Sequence, residues 1–316
     1  MLVILTGPTA SGKSGLALAL AQEGAFAGSV EILSMDSAQI YRGLDIGTAK
    51  PDRATRAAIT HHLIDVIEPQ ESYSAARFRD EAARICVAIK ARQRHCLIVG
   101  GTLLYGRALE GGLSELPSTD PTLRMAIAAE ARLHGWPALH AELAQVDPVT
   151  AARLAPRDAQ RISRALEVYR ASGTPLSHWI AARGNLPPIP VCWVSLEPRD
   201  RAWLHHRIRM RLEEMLAAGL VDEVRALLLR PGMHPGLASM RAVGYRQCAQ
   251  WLADGGERLD LLRERILAAT RQFAKRQLTW LRAMPQRQVF ACDEAAQVRL
   301  ARDALCRALD KARSVA

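Results

Sequence analysis

The sequence predicts an α/β protein in which helices flank a parallel sheet and an all-helical domain interrupts the sheet domain. Four apolar, strand-like runs alternate with helical segments, at residues 2–5, 31–35, 96–99 and 191–196. This alternation favours a parallel sheet that is covered on both faces. A glycine-rich loop joins the first run to a helical pattern, and prolines recur without strand-like runs between residues 117 and 190. The last observation predicts a group of short helices, because prolines break helices.

The loop of residues 7–14, GPTASGKS, matches the phosphate-loop pattern. It lies in the required context, after a strand and before a helix, and so predicts a P-loop NTPase-like core of the kind that binds ATP or another nucleotide. Glycines let backbone N–H groups point at an anion, Lys13 can reach the outer phosphates, and the Ser14 hydroxyl is a natural ligand for phosphate-bound magnesium. We expect at least a diphosphate on Gly7, Thr9, Ala10, Ser11, Gly12, Lys13 and Ser14.

The recurrent prolines and the lack of strand-like runs divide the chain into a discontinuous catalytic core, residues 1–116 and 189–316, and a helical insertion, residues 117–188. The chain after residue 198 is mostly helical. A long helical pattern runs from about residue 257 to residue 283, followed by a strand-like piece at 288–290 and a helix through residue 309.

The composition favours a polyanionic partner. The 316-residue chain is 49% hydrophobic and 23% charged, and its net charge of +10 is consistent with nucleic-acid binding. No apolar run approaches the length of a membrane span, and the chain starts in a core strand without a cationic leader, so we expect a cytoplasmic protein with no membrane partner. The six cysteines form no CxxC pair, which favours reduced thiols over a disulfide framework or a zinc site.

Polar residues follow the second and third predicted strands, at the sheet edge where the phosphate loop should lie. Asp36 could hold magnesium through water or accept a proton from a nucleophile. A helix N-cap is an equally good interpretation of Asp36. Thr102, after two glycines, could donate to a phosphate oxygen or a leaving group, although a helix cap is the leading alternative.

Basic residues cluster late in the chain. Arg271, Lys275 and Arg282 fall on one stripe of the predicted long helix. Such stripes are more often solvated faces, but the net charge and nearby aromatic residues favour an RNA or DNA backbone surface. A similar basic pair lies within residues 160–164. Residues 241–246 either form a nucleic-acid contact loop or start a helix with Tyr245 in the core.

Taken in order, these motifs resemble one family, the tRNA dimethylallyltransferases, also called tRNA isopentenyltransferases. The similar stretches are the phosphate loop, DSAQIYRGLDIGTAKP at 36–51, VGGT at 99–102, QRISRALE at 160–167, VGYR at 243–246 and KRQLTW at 275–280. They span nearly the whole chain. The phosphate loop alone is unspecific, whereas DIGTAKP followed by KRQLTWLR is highly specific. The zinc-finger tail of eukaryotic relatives is absent from the sequence, which favours the bacterial type.

The resemblance implies a tRNA-modifying prenyltransferase, a monomer with magnesium as cofactor and no need for ATP. Such an enzyme moves a dimethylallyl group from its diphosphate to the exocyclic amine of the adenine 3′ of the anticodon, in tRNAs that read codons beginning with U. Asp36 is then the general base, Thr102 acts with Lys13 and Ser14 on the diphosphate, and Arg211 also faces it. The implied tRNA contacts are Asp36, Ser37, Ala38, Gln39, Thr102, Arg124, Gln160, Arg161, Ile162, Ser163, Arg164, Arg241, Val243, Gly244, Tyr245, Arg246, Lys275, Arg276, Gln277 and Arg282.

Two other functions fit part of the sequence. A P-loop kinase for a nucleotide or small metabolite explains the loop, Asp36 and an insertion that works as a lid, but not the basic stripe or the net charge. A non-enzymatic RNA-binding protein with a relic loop explains the charge but leaves the loop unused. Transfer of a prenyl label to tRNA without ATP, and release of diphosphate, would separate these possibilities.

Overall fold

A computed structural model describes residues 1–111, 116–117, 120–182 and 189–314. The strands are β1 (Leu2–Thr6), β2 (Val30–Ser34), β3 (His61–His62), β4 (His95–Val99), β5 (Val191–Glu197) and β6 (Gln288–Ala291). They form one parallel sheet in the order β3-β2-β4-β1-β5-β6. The five strand-like runs predicted from the sequence are confirmed. Strand β3 is additional, and its two residues are too few to produce a detectable pattern.

The helices of the described residues are α1 (Lys13–Gln22), α2 (Arg53–Ala58), α3 (Ala75–Ala91), α4 (Leu103–Gly111), α5 (Pro121–His134), α6 (Trp136–Val146), α7 (Pro148–Ala151), α8 (Ala159–Ser172), α9 (Leu176–Ala181), α10 (Arg201–Ala217), α11 (Leu220–Leu228), α12 (Tyr245–Ala253), α13 (Leu259–Arg282) and α14 (Ala295–Ser314). Short 3₁₀ turns lie at Gly24–Phe26 and Ser239–Arg241. None of these helices combines the length and the apolar character that crossing a membrane requires. The predicted long helix is confirmed as α13.

The chain divides into two compact units, Met1–Gly111 with Pro188–Ala316, and Gly112–Pro187. The sequence predicts these divisions at residues 116 and 188. The described part of the second unit consists of α5 to α9 around its own core, which contains Ile127, Leu143 and Leu166. Prolines stand in the first turns of α5, α6 and α7, where their missing N–H groups cost nothing. The recurrent prolines therefore mark helix starts here.

Both faces of the sheet are covered, as alternation along β1 shows. Val3 and Leu5 pack with residues of α1 and α14, while Ile4 points to the opposite face, among residues of α3, α4 and α13. All three side chains are almost fully buried. Burial of each contributes about 1.5–3 kcal/mol, so the two layers anchor the strand that leads into the phosphate loop.

Strand register brings three loops to one edge of the sheet. Leu5 and Ser34 both pair with Val99 of the central strand β4, so the chain leaves β1, β2 and β4 at the same height. A Cβ atom at Gly100 would lie 2.0 Å from the Met35 carbonyl oxygen, a separation that only glycine permits. The predicted convergence of the phosphate loop, Asp36 and Thr102 is thereby confirmed.

The segment after β2 is held by a buried cation. The Lys50 side chain is 1% exposed, and its ammonium lies 2.5 Å from Asp45 and 2.6 Å from Asp65. It also donates to the Tyr41 carbonyl oxygen at 2.8 Å. Burial opposes ionisation of Asp65, but hydrogen bonds from Lys50 and Arg56 hold its pKa below the ordinary value. Lys50 thus closes the loop that forms one wall of the site described below.

We predict that Lys50→Met lowers the free energy of unfolding by about 2 kcal/mol, because it removes the charge-assisted hydrogen bonds from the buried ammonium to Asp65 and to the Tyr41 carbonyl oxygen. Arg265→Met is the matched control, since Arg265 forms an ion pair with Asp254 in which both side chains are about half exposed. The control should change stability by less than about 0.5 kcal/mol. Urea unfolding of both variants checks the difference, and equal effects would contradict the structural role assigned to Lys50.

Candidate functional site

The phosphate loop forms an open anion cradle between β1 and α1. Gly12 at the N-cap of α1 has φ 87°, in the left-handed region, and no side chain caps the helix. A Cβ atom at Gly7 would lie 2.4 Å from the Leu196 carbonyl oxygen. The first amides of α1 therefore stay available to a bound anion, and the helix dipole favours negative charge there.

Two cations converge on this cradle. The Lys13 ammonium folds back over the loop and donates to the Pro8 carbonyl oxygen at 3.2 Å. Arg211 of α10 donates to the Thr9 hydroxyl at 3.3 Å and to the Thr48 carbonyl oxygen at 3.4 Å. Burial and then the positive charge of Arg211 lower the pKa of Lys13 to about 8, against the opposing effect of Asp36. Two partly desolvated cations close to each other indicate a site for a multiply charged anion.

Asp36 faces the same space from the end of β2. Its Oδ1 accepts hydrogen bonds from the N–H groups of Ala38 at 2.9 Å and Gln39 at 3.4 Å. The residues that follow form turns, and the next helix begins only at Arg53, so the helix N-cap interpretation is wrong. Among the described residues, nothing donates a hydrogen bond to Oδ2. One carboxylate oxygen therefore stabilises the turn while the other can act on a ligand.

Thr102 ties two of the loops together. Its hydroxyl oxygen accepts the Ser37 N–H at 3.0 Å and lies 3.3 Å from the Ser37 hydroxyl. Helix α4 begins at the next residue. The threonine thus precedes a helix, as its alternative interpretation requires, but its side chain is directed to the loop that carries Asp36.

These groups line a single cavity of about 660 Å³. Polar residues of the three loops and the two cations occupy part of its wall. The remainder comes from α10, α11, α13 and the chain before α12, and it includes an apolar group of lining residues: Ile208, Leu212, Met215, Leu220, Ala242, Val243, Ile266 and Phe273. The cavity therefore combines an anion site with an apolar wall, and Asp36 lies within it.

A carboxylate of α11 holds the wall opposite the phosphate loop. Glu223 accepts N–H groups from Asp45 at 3.1 Å, Ile46 at 2.8 Å and Gly47 at 3.3 Å. The Tyr245 hydroxyl donates to Glu223 at 2.5 Å.

This wall presents the Thr48 carbonyl oxygen to Arg211 and to the Gln39 amide. Sequence analysis missed Glu223 because nothing local marks a residue whose partners lie about 180 positions away.

Tyr245 itself corrects one prediction. Its side chain is 0% exposed and lies in the core formed by α10 to α13. A direct tRNA contact through this side chain is therefore wrong, and the alternative that placed Tyr245 in the core is confirmed. Its neighbours Arg241, Val243 and Gly244 do line the cavity, and Arg246 is exposed.

Predicted RNA contacts on α13 separate into two groups. Lys275 and Arg282 are exposed, and Arg276 is exposed at the cavity lining. Gln277 is buried and also lines the cavity. Of the loop residues, Ser37, Ala38 and Gln39 line the cavity as well.

In the second unit, the predicted contacts surround the start of α8. Gln160 and Arg161 are exposed. Arg124 and Ser163 both bind the buried Glu167 carboxylate, at 3.1 Å and 2.9 Å, and Arg164 lies 3.7 Å from it. Ile162 is 0% exposed within the core of this unit, so the predicted contact of its side chain with tRNA is wrong.

Comparison with known proteins shows the family of the chain. Residues 39–284 match the family described as IPP transferase. The chain belongs to the IPP transferase family. Relatives named tRNA dimethylallyltransferase include one from Methylibium petroleiphilum, 58% identical over 92% of this chain and 88% of its own length. Another, from Bordetella pertussis, is 54% identical over 98% of both chains.

Solved structures of IPP transferases show the same fold. The tRNA isopentenylpyrophosphate transferase of Bacillus halodurans superposes with a TM-score of 0.68 and 32% identity, over 99% of this chain and 97% of that one. A eukaryotic dimethylallyltransferase, described as acting on tRNA, reaches a TM-score of 0.75 over 92% of this chain and 73% of its own. At 24% identity, the eukaryotic structure establishes similarity of fold alone.

The lowered pKa of Lys13 predicts a pH-dependent anion affinity. Below a pH of about 8 the ammonium is charged and attracts inorganic diphosphate, and its contribution is lost as the pH rises above that value. Diphosphate also titrates, so the informative quantity is the ratio of its affinities for the wild type and for Lys13→Met. This ratio should be large at about pH 7 and fall by about pH 9.5. A constant ratio, measured by calorimetry, would contradict the assignment.

Proposed function

We propose that this chain transfers a dimethylallyl group from dimethylallyl diphosphate to the exocyclic amine of an adenine in tRNA, releasing diphosphate. The acceptor is the adenine immediately 3′ of the anticodon in tRNAs that read codons beginning with U. The observation that carries the proposal is one cavity in which an anion cradle, a carboxylate and an apolar wall meet. Membership of the IPP transferase family and the names of its relatives support it.

The cradle suits the leaving group. As the bond between the allylic carbon and the diphosphate oxygen breaks, its electron pair moves to the diphosphate. Lys13, Arg211 and the amides at the start of α1 lie together at the cavity, where they would stabilise that growing negative charge. The apolar wall would receive the five-carbon allyl group. By keeping water away, it would prevent water from attacking the positively charged allylic carbon in place of the amine.

Asp36 suits the acceptor side. The lone pair of an adenine amine is delocalised into the ring, which makes the amine a weak nucleophile. Its nitrogen forms the new bond to the allylic carbon, and the proton that it loses passes to the Asp36 carboxylate. The hydrogen bonds to Oδ1 fix the orientation of this carboxylate. Thr102, bonded to Ser37, would help to position the reacting groups across the cavity.

The RNA contacts would come from exposed cations. On α13 these are Lys275, Arg276 and Arg282, and in the second unit they include Arg124 and Arg161, all exposed or partly exposed. The cations of α13 would bind phosphates near the target base, which must leave its stack in the anticodon loop to enter the cavity, and those of the second unit would bind tRNA phosphates as well. The proposed enzyme acts in the cytoplasm, where its tRNA substrates occur. That it acts as a monomer stays a prediction.

Magnesium fits the residues present. The exposed Ser14 hydroxyl and the Asp36 carboxylate line the same cavity, and both are hard oxygen donors of the kind that Mg²⁺ prefers. We propose that Ser14 holds the ion together with diphosphate oxygens. When bound, it would neutralise part of the charge that the diphosphate gains.

The test of the proposal is mass analysis of tRNA nucleosides after incubation of tRNA with the protein, dimethylallyl diphosphate and magnesium. We expect adenosine 3′ of the anticodon to gain one dimethylallyl group in place of a hydrogen, without ATP. A tRNA that stays unmodified under these conditions, with folded protein and intact donor, would overturn the proposed function.

Asp36→Asn should lower the single-turnover rate by about 10² to 10⁴-fold, because the amide cannot accept the proton. Its tRNA affinity should stay that of the wild type, since the amide oxygen can still accept the Ala38 N–H. Asp52→Asn is the matched control, because Asp52 caps α2 with a 2.7 Å bond from the Thr55 N–H and does not line the cavity. A near-normal rate for Asp36→Asn would remove Asp36 as the base.

The exposed cations of α13 should determine part of the salt dependence of tRNA binding. Lys275→Gln combined with Arg282→Gln should reduce the slope of log affinity against log salt by about 1.4, since each single-strand phosphate that a cation neutralises contributes about 0.7 to the slope. Arg299→Gln combined with Arg307→Gln on α14 is the control, because α14 packs on the opposite face of the sheet. An equal slope for both double variants in filter-binding titrations would place the RNA elsewhere.

A further inference from the structure

We propose that Gln277 is a positioning residue that fixes the phosphate loop against the loop carrying Thr102, and that its side chain does not contact RNA. It belongs to the late KRQLTW run, whose cations are expected to face tRNA, yet it is only 6% exposed. The effect of this positioning role on catalysis rests on the proposed function. The role itself is inferred from the contacts of the Gln277 side-chain amide.

Both ends of that amide are used, by different loops. Gln277 Oε1 accepts the Thr9 N–H at 2.8 Å, and Nε2 donates to the Gly101 carbonyl oxygen at 3.0 Å. The partners are a backbone donor and a backbone acceptor, so they determine which end of the amide is oxygen. In the opposite orientation the amide NH₂ would face the Thr9 N–H, and the amide oxygen would face the Gly101 carbonyl oxygen. The bridge therefore exists in one orientation only.

Gln277 is a polar residue within a buried stripe of α13. Ala274 and Leu281 flank it at helical spacing, and both are buried in apolar clusters. Burying an amide there is favourable only because both of its groups are hydrogen-bonded. A Cβ atom at Gly101 would lie 2.3 Å from Nε2, so the glycine also makes room for this contact.

The two loops that Gln277 joins carry groups that act on the same ligand. Thr9 also accepts a hydrogen bond from Arg211, and Thr102 follows Gly101 directly and binds Ser37. One side chain of α13 thus sets the separation between the diphosphate cradle and the loops that hold Thr102 and Asp36. Loss of the bridge should weaken diphosphate binding even though Gln277 is not charged.

The experiment compares Gln277→Met with Gln272→Met, a control at an exposed glutamine of the same helix. The probe is inorganic diphosphate, measured by calorimetry, with tRNA affinity measured by filter binding and folding by thermal unfolding. Gln277→Met should lower diphosphate affinity about tenfold, corresponding to the loss of one or two net hydrogen bonds, and leave tRNA affinity unchanged. The control should change neither. Wild-type diphosphate affinity in Gln277→Met, or a loss confined to tRNA affinity, would overturn the proposal.

A second variant, Gln277→Glu, makes the bond to the Gly101 carbonyl oxygen depend on protonation, so its readout is a pH profile. The ionised carboxylate can accept from Thr9 but opposes the Gly101 carbonyl oxygen, whereas the protonated carboxyl can donate to it. Diphosphate affinity relative to the wild type should therefore recover as the pH falls from about 8 to about 5, and a ratio independent of pH would overturn the proposal.

The same measurements separate this proposal from the proposed function. If the wild type modifies no tRNA but the Gln277 variants still change diphosphate affinity as expected, the proposed function fails while the positioning role stands.

Discussion

The parallel register of β1, β2 and β4 is the constraint on which the site depends. Because the three strands end at one height, an anion cradle, a carboxylate and a hydroxyl from distant parts of the sequence face one another. The contact between Gly100 and the Met35 carbonyl oxygen leaves no room for a side chain at this junction. The bond from the Thr6 hydroxyl to the Gly100 carbonyl oxygen, 3.0 Å long, adds a second tie between the strands.

The charges of the site favour a multiply charged anion. Lys13 and Arg211 lie close enough for Arg211 to lower the pKa of Lys13, and burial lowers the pKa of both groups. Asp36 offsets this repulsion in part. A diphosphate would neutralise both cations at once, and because both cations are partly desolvated its interactions with them are stronger than in water. Both cations line the cavity, where they would stabilise a departing diphosphate.

The sequence was sufficient for the parts of the fold that carry a local signal. Apolar runs predicted five strands, and the glycine pattern predicted the cradle, because both depend on neighbouring residues. It could not decide whether Asp36 caps a helix or whether Tyr245 and Ile162 are buried, since these depend on packing between distant segments. The Glu223 contacts with residues 45–47 span more than 170 positions, and the Gln277 bridge spans 268 positions to Thr9. No short-range pattern could reveal either.

The central claim is that this cradle retains the diphosphate half of a prenyl donor while the carbon half leaves with RNA. Its most direct measurement uses dimethylallyl diphosphate labelled separately in the allyl carbons and in the phosphorus atoms, with tRNA as acceptor and no ATP. We expect the carbon label to enter tRNA and all of the phosphorus label to be released as diphosphate. Phosphorus label in the RNA, or transfer that occurs only from the γ-phosphate of ATP, would contradict it.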